Sequence, residues 1–362
     1  MYRMVYPFLT IFARGLGVDL STMAYALTAR SIAGTFGPFA ATIADRRGRR
    51  FGMLMGAAIF VLGAGMVVFW PTFPALVLAL IFSTLGKYIF DPSLQAFISD
   101  RVLYQRRGRI IAITEFGWSL AFILGVPLVG FLIARGGWLA PFPLMALLGA
   151  GIFAGLFWML PRDEKGKSDN RSRDNFHLVL HSVPALTGLG IGLFASGANE
   201  QVNLIFGAWL ENSFGLQIAA LGLASAIIGI SELSAEGMVA GFVDRIGKPR
   251  AVAIGLTVNS LAALALPFVG HTEAGALFGL FFFYLSFEFS IVSTLPLMTE
   301  LLPSARATLM AFNVAAMSLG RALGAFLAPR LYGLGFLAVV LGSFGFNLVA
   351  LFAVSRLRHT KV

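Results

Sequence analysis

The sequence Asp-Arg-Arg-Gly-Arg-Arg at residues 45–50 separates two long apolar runs, and a related sequence follows 199 residues later. The second copy reads Asp-Arg-Ile-Gly-Lys at residues 244–248 and also follows an apolar run. Two further pairs align in the same register, Arg107 with Arg306 and Gly125 with Gly324. Agreement at three places in one register predicts a duplicated architecture whose halves have the same orientation in the membrane.

The composition is that of an integral membrane protein. Of 362 residues, 58% are hydrophobic and 12% are charged, and the mean hydropathy is +0.84. Soluble chains carry about a quarter charged residues, which excludes a water-soluble globular enzyme. The chain has no cysteine, and its four histidines are scattered. We therefore expect no catalytic residue and no metal site, because neither thiolates nor paired histidines are at hand.

Apolar runs of about 20 residues, the length needed to cross a bilayer, recur along the whole chain. We predict eleven full spans, at 21–43, 51–70, 74–98, 107–134, 141–160, 182–209, 217–243, 251–270, 274–299, 305–329 and 335–355. Residues 1–15 are too short to cross alone, and we interpret them as the outer part of a first helix whose beginning is missing. The predicted fold is an all-α membrane protein of two six-helix bundles, at 1–160 and 182–362, joined by a polar cytoplasmic linker at 161–181.

The distribution of the basic residues indicates how the chain is oriented in the membrane. Of the 27 Lys and Arg residues, 20 lie in alternate loops, in the linker or at the C-terminus. The positive-inside rule places these segments in the cytoplasm and predicts a multi-pass protein of the plasma membrane. The net charge of +10 therefore needs no nucleic acid to explain it.

The motif Asp45-Arg46-x-Gly48-Arg49-Arg50 resembles the loop signature between helices two and three of the major facilitator superfamily, with Ala41 where that family has glycine. The second copy, at residues 244–248, is similar to the weaker C-terminal version. The resemblance covers the whole chain. It implies that helices one, four, seven and ten line a central cavity and that helices three, six, nine and twelve are peripheral.

We expect the two motif loops to form a cytoplasmic gate. Asp45 can accept hydrogen bonds from the start of helix eleven, and Arg46 and Arg49 can pair with Asp100 and latch the two halves. Gly48 permits the tight turn. The alternative is a basic loop with a topological role only. The gate candidates are Asp45, Arg46, Gly48, Arg49, Asp100, Arg107, Asp244, Arg245, Gly247 and Lys248.

Charged residues inside the predicted spans avoid helices three, six, nine and twelve, and we expect the others to face a polar interior, since a charge at membrane depth is costly. Lys87 and Asp91 are four residues apart and can form a salt bridge; substrate contact is the alternative.

The polar cluster around Asn199 suggests a broken helix seven. The substrate-cavity candidates are Arg30, Lys87, Asp91, Glu115, Asn199, Glu200, Asn203 and Arg321.

Three carboxylates are candidates for proton coupling. Glu232 and Glu236 are like-charged neighbours on one helix face, short of cationic partners, and Glu288 lies in the middle of helix ten. Carboxylates so placed can take up and release a proton. Alternatively, Glu232 hydrogen-bonds Ser231 or backbone without titrating, and Glu236 reaches a cation of the gate loop.

These observations favour a proton-coupled secondary transporter that moves a small organic molecule by alternating access. The sequence Gly125-Val126-Pro127-Leu128-Val129-Gly130 resembles an exporter motif of the same superfamily and favours efflux by antiport. The alternative is an uptake symporter or an uncoupled facilitator for a metabolite. ATP-driven pumping is disfavoured because no GxxxxGK[ST] motif occurs. We expect a monomer whose partners are its substrate, protons and the lipid bilayer, with a proton gradient in place of any cofactor.

Overall fold

The computed structural model describes residues 1–39, 47–103, 110, 114, 117–161 and 172–359. Twelve helices follow the duplicated pattern. They are α1 Leu9–Leu16, α2 Leu20–Thr35, α3 Arg49–Phe69, α4 Phe73–Arg101, α5 Gly117–Gly136, α6 Pro141–Met159, α7 Val183–Phe214, α8 Ile218–Ile246, α9 Lys248–Val269, α10 Glu273–Leu301, α11 Arg306–Gly333 and α12 Phe336–His359. The first half of the molecule contains α1–α6 and the second half contains α7–α12.

The all-α membrane fold is confirmed. Within the described ranges, nine helices are long and apolar enough to cross a membrane. The other three are α1, with 8 residues, α2, with 16 described residues, and α7, which carries the polar segment around Asn199. Every one of the eleven predicted spans overlaps one of the helices α2–α12.

Two segments differ from the sequence-based expectation. Residues 2–8 form consecutive turns before α1, and Met4, Val5 and Phe8 are at most 2% exposed. This segment packs into the interior between the halves, where its polar side chains meet those of distant helices. The predicted linker also contains a helix, Ser172–His181, which we call the linker helix.

The two halves meet along two helix pairs, with α2 packed on α11 and α5 packed on α8. At the second contact, a Cβ on Gly130 would lie 3.3 Å from the Cα atom of Gly222, so small residues allow this close approach. Just before Pro127, residues Ala121–Gly125 form a π-helical turn. Proline lacks the N–H that an α-helix uses at this point, and a local widening of the helix accommodates it.

Helices α6 and α9 expose large apolar side chains on the outside of the bundle. In the apolar 18-residue stretch of α6, 11% of the residues are buried, against 56% in the corresponding stretch of α10. Leu147 of α6 and Leu261 of α9 are 71% and 61% exposed. Large apolar side chains in contact with lipid carry no penalty, so these helices need no further cover.

Candidate functional site

A fully buried hydrogen-bond chain joins the two halves near the middle of the bundle. Arg30 of α2 donates from Nη2 to the Tyr6 hydroxyl at 2.5 Å, and Tyr6 donates to Glu200 Oε1 of α7 at 2.9 Å. A second Arg30 nitrogen donates to the Tyr2 carbonyl at 3.1 Å. Arg30 Nη2 lies 3.9 Å from Glu200 Oε1, and both residues have 0% exposure. The charges of two predicted cavity residues therefore compensate each other across the interface.

A second ion pair crosses the interface beside the first. Arg3 Nη1 lies 2.6 Å from Glu232 Oε2 of α8, and the two side chains are 7% and 10% exposed. The Arg3 guanidinium also lies over the rings of Trp118, at 3.8 Å, and Phe122, at 4.3 Å. The prediction that Glu232 lacks a cationic partner is therefore wrong. Its partner comes from the irregular segment at residues 2–8, whose packing against α8 is not visible in the sequence.

The predicted salt bridge within α4 is confirmed. Lys87 Nζ donates to Asp91 Oδ2 and lies 4.5 Å from the centre of the Trp118 ring. Lys87, Asp91, Arg3 and Trp118 border a cavity of about 380 Å³. All residues that line this cavity belong to the first half, from the first segment and α3–α6.

Glu288 and Arg321 differ from the other charged residues of the interior. Both are partly buried, and within the described part of the chain neither makes a hydrogen bond or an ion pair within 4.0 Å. Glu288 of α10 interacts electrostatically with Glu232, Glu236, Arg3 and Arg321. Glu236, one turn beyond Glu232 on α8, is also partly buried.

The polar segment of α7 does not interrupt that helix. The prediction of a broken helix seven is wrong, because α7 runs continuously over Val183–Phe214. Packing on three sides by α10, α11 and α12 stabilises the helix despite its polar residues. Asn203 Oδ1 accepts a hydrogen bond from Tyr284 of α10 at 2.9 Å, whereas the buried Asn199 Oδ1 has no partner among the described residues.

The end of the bundle formed by Gly48, Arg49, Asp100, Lys248 and Glu300, which we call the basic end, repeats the same geometry in both halves. Gly48 and Gly247 have φ values of +108° and +88°, a region that side-chain-bearing residues rarely adopt. Arg49 Nε lies 3.5 Å from Asp100 Oδ2, and Lys248 pairs with Glu300.

The predicted pairing of Arg49 with Asp100 is confirmed, but this ion pair does not latch the two halves. Their ion pair joins the start of α3 to the end of α4, so it lies within the first half. Both residues belong to the predicted first bundle at 1–160, so a pair between them cannot by itself join the two halves. Asp244 and Arg245 are exposed at the end of α8. Four candidates, Asp45, Arg46, Arg107 and Glu115, lie outside the described residues.

At the other end, which we call the opposite end, the halves contact each other directly. Glu211 of α7 accepts hydrogen bonds from Arg14, at 2.5 Å, and from Thr10 of α1. Arg330 of α11 donates to the Tyr25 hydroxyl of α2 at 2.9 Å. Side-chain contacts therefore join the two halves at the opposite end.

Sequence reasoning missed Arg3, Tyr2, Tyr6 and Trp118 as parts of the site. A usable signal was present, because Arg3 and two tyrosines occur in an otherwise apolar segment predicted to belong to a cavity-lining helix. A charge at that depth requires a partner. The identity of the partner could not be predicted, since Arg3 and Glu232 are 229 residues apart.

Comparisons with known proteins agree with this architecture. A family model described as Major Facilitator Superfamily matches residues 1–325. The chain is 25% identical over 348 residues to the uncharacterized MFS-type transporter YwfA of Bacillus subtilis (strain 168), covering 92% of this chain and 82% of that protein. It is 24% identical over 331 residues to the inner membrane transport protein YdhP of Escherichia coli (strain K12), covering 88% and 81%.

Solved structures share the fold at low sequence identity. The crystal structure of a D-xylose-proton symporter matches with a TM-score of 0.78 and 19% identity, covering 97% of this chain and 92% of that one. The nucleoside transporter NupG matches with a TM-score of 0.75 and 17% identity, covering 99% and 95%.

Proposed function

Because the chain belongs to the major facilitator superfamily and is a multi-pass membrane transporter, we propose that it couples the movement of a small organic molecule to protons. The proposed cycle is alternating access at the plasma membrane, with efflux by antiport. The basic end, the linker helix and the C-terminus face the cytoplasm in this proposal, in agreement with the positive-inside rule. The proton gradient supplies the energy, and the working unit is a monomer.

The Glu288 carboxylate is the observation that carries the coupling proposal. It is partly exposed inside the bundle and has no ion-pair partner within the described residues, while other carboxylates lie nearby. A charged carboxylate in such a place is costly, and binding a proton removes the charge. Glu232 is engaged by Arg3, so we assign coupling to Glu288, with Glu236 as the second candidate.

The two ion-pair systems that cross the interface support a rocking motion. Arg3–Glu232 and Arg30–Tyr6–Glu200 each place one charge in each half. When the halves rotate, these contacts must lengthen or exchange partners. Charge pairs of this kind stabilise the observed arrangement relative to the alternative one. Binding of substrate and protons can offset this difference in free energy.

We expect Glu288→Gln to abolish substrate flux driven by a pH gradient, because glutamine cannot bind and release a proton. Flux would be measured in proteoliposomes with a panel of small organic molecules, and an internal pH dye would report proton movement. The control is Glu273→Gln, which removes an exposed carboxylate from the first turn of the same helix and should leave flux unchanged.

The same assay separates the candidate modes of transport. Protons that move opposite to substrate support antiport, protons that move with substrate indicate the uptake symporter, and substrate flux without proton movement indicates a facilitator. Undiminished gradient-driven flux in Glu288→Gln would contradict the coupling assignment.

Alternating access predicts that a bridge across the opposite end stops transport. The chain has no cysteine, so Thr10→Cys/Glu211→Cys can be joined by a short, reducible, bifunctional thiol reagent. These positions lie on α1 and α7 and are in hydrogen-bond contact. We expect flux to fall with the yield of cross-linking and to return on reduction.

The matched control is Asn212→Cys/Tyr332→Cys, which joins α7 to α11 at the same end but within the second half. Cross-linking this pair should leave flux unchanged, because the two helices move together. Full flux in cross-linked Thr10→Cys/Glu211→Cys would rule out opening at this end.

A further inference from the structure

Among the described residues, positive charge exceeds negative charge on one side of the interior. The guanidinium groups of Arg30 and Arg321 both interact with a single carboxylate, Glu200. Glu200 already accepts the Tyr6 hydroxyl and lies beside buried Arg30. Arg321 is thus left without a hydrogen bond or an ion pair among the described residues, although it remains partly exposed.

On the other side, the residues that the structure describes carry more negative than positive charge. Glu288 has the carboxylates Glu232 and Glu236 as electrostatic neighbours. The cation of this region, Arg3, lies 2.6 Å from Glu232, so its charge is already engaged. Glu288 is partly exposed and has no ion pair among the described residues.

Both groups lie on the surface that the second half turns toward the first. Ser318, one turn before Arg321 on α11, is hydrogen-bonded at 2.9 Å to Tyr88 of α4. Glu288 interacts across the same interface with Arg3. Arg321 and Glu288 are more than 4.0 Å apart, since they form no ion pair, yet they interact electrostatically. Among the described residues, a cation and an anion without ion-pair partners therefore lie on the same interface without direct contact between them.

We propose that the transported molecule is a zwitterionic amino-carboxylate, whose carboxylate binds Arg321 and whose ammonium group binds Glu288. This inference rests on the proposed transport function and adds the substrate class to it. The planar guanidinium of arginine binds carboxylates through two parallel hydrogen bonds. A neutral substrate would leave both protein charges uncompensated in a low-dielectric interior, and a singly charged substrate would leave one.

The test is equilibrium binding to the purified protein in detergent, measured by calorimetry, with free amino acids, their methyl esters and their N-acetyl derivatives. The esters keep only the positive charge and the N-acetyl derivatives keep only the negative charge. We expect at least one free amino acid to bind about 10- to 100-fold more tightly than either of its derivatives, the range expected for loss of one charge-assisted hydrogen-bonded contact.

Two variants assign each charge to its residue. In Arg321→Gln, a free amino acid and its methyl ester should bind equally, because the partner of the carboxylate is gone. In Glu288→Gln, a free amino acid and its N-acetyl derivative should bind equally. Glu273→Gln should keep the full discrimination. Each comparison is between two ligands that bind to the same variant, so a change in the stability of that variant does not affect it. Cooperative unfolding on heating shows that the variant is folded.

The proposal is overturned if no free amino acid binds, if derivatives with one charge bind as tightly as the free amino acid, or if both variants keep the discrimination. The last result would mean that Arg321 and Glu288 form an ion pair with each other in another conformation. The binding assay in detergent involves no proton gradient, so it tests the substrate class separately from proton coupling. If flux in proteoliposomes is selective for zwitterions but moves no protons, the coupling proposal is refuted and the substrate proposal is supported. Proton-coupled flux of a neutral molecule would do the reverse.

Discussion

Arg30→Met is expected to lower the free energy of unfolding by about 3–5 kcal/mol, the cost of leaving one buried charge without its partner. The guanidinium has 0% exposure and donates to both the Tyr6 hydroxyl and the Tyr2 carbonyl. Removing it leaves the fully buried Glu200 carboxylate without the cation that lies 3.9 Å away. The free energy of unfolding is measured in bicelles by steric trapping, which reports reversible unfolding.

The double variant Arg30→Met/Glu200→Gln separates charge compensation from packing. It removes both charges together, so we expect it to regain at least half of the lost free energy. Arg135→Met is the matched control, because Arg135 is exposed at the end of α5 and should change stability by less than about 0.5 kcal/mol. Strictly additive losses in the double variant would show that Arg30 and Glu200 are not coupled.

Arg3→Met is expected to have the second-largest effect, because it leaves Glu232 buried without its cation. The two side chains are 7% and 10% exposed, so solvent screens the pair little. We expect a loss of about 3 kcal/mol and a matching loss of gradient-driven flux. Unfolding in bicelles and flux in proteoliposomes measure the two effects on the same preparation.

The neutral pair Arg3→Met/Glu232→Gln tests whether this contact holds the observed conformation. Stability should recover, because no charge is left unpaired, but the arrangement in which the halves are joined at the opposite end should lose population. Cross-linking of Thr10→Cys/Glu211→Cys should then be slower in this background. An unchanged cross-linking rate would show that the ion pair contributes to folding without biasing the conformation.

The charged residues show where sequence-based prediction succeeds. Lys87 and Asp91 were expected to pair, and they do, because a four-residue spacing on one helix brings them together. Arg30 and Glu200 were expected to face the interior, and both are fully buried. The requirement that a membrane-embedded charge avoid lipid applies to each residue by itself, so it is visible without the fold.

The partners of those charges were not predictable in the same way. Glu232 was expected to lack a cation, yet Arg3 reaches it from 229 residues away. Arg49 was expected to pair with Asp100, and it does, but the pair lies within the first half and does not latch the two halves. Helix seven was expected to break at its polar residues, but surrounding helices keep α7 continuous. In each case the outcome depends on which segments pack side by side.

Hydropathy, loop charge and the repeated Asp-Arg motif were enough to establish a duplicated bundle of membrane helices with a polar interior. Each of these signals comes from one short segment and its contact with lipid or water, and such local preferences do not depend on the rest of the chain. The pairing of Arg3 with Glu232 and of Arg30 with Glu200, which leaves Glu288 and Arg321 without ion pairs among the described residues, is set by the tertiary structure alone. A charge demands compensation wherever it is buried, but only helix packing decides which distant group provides it.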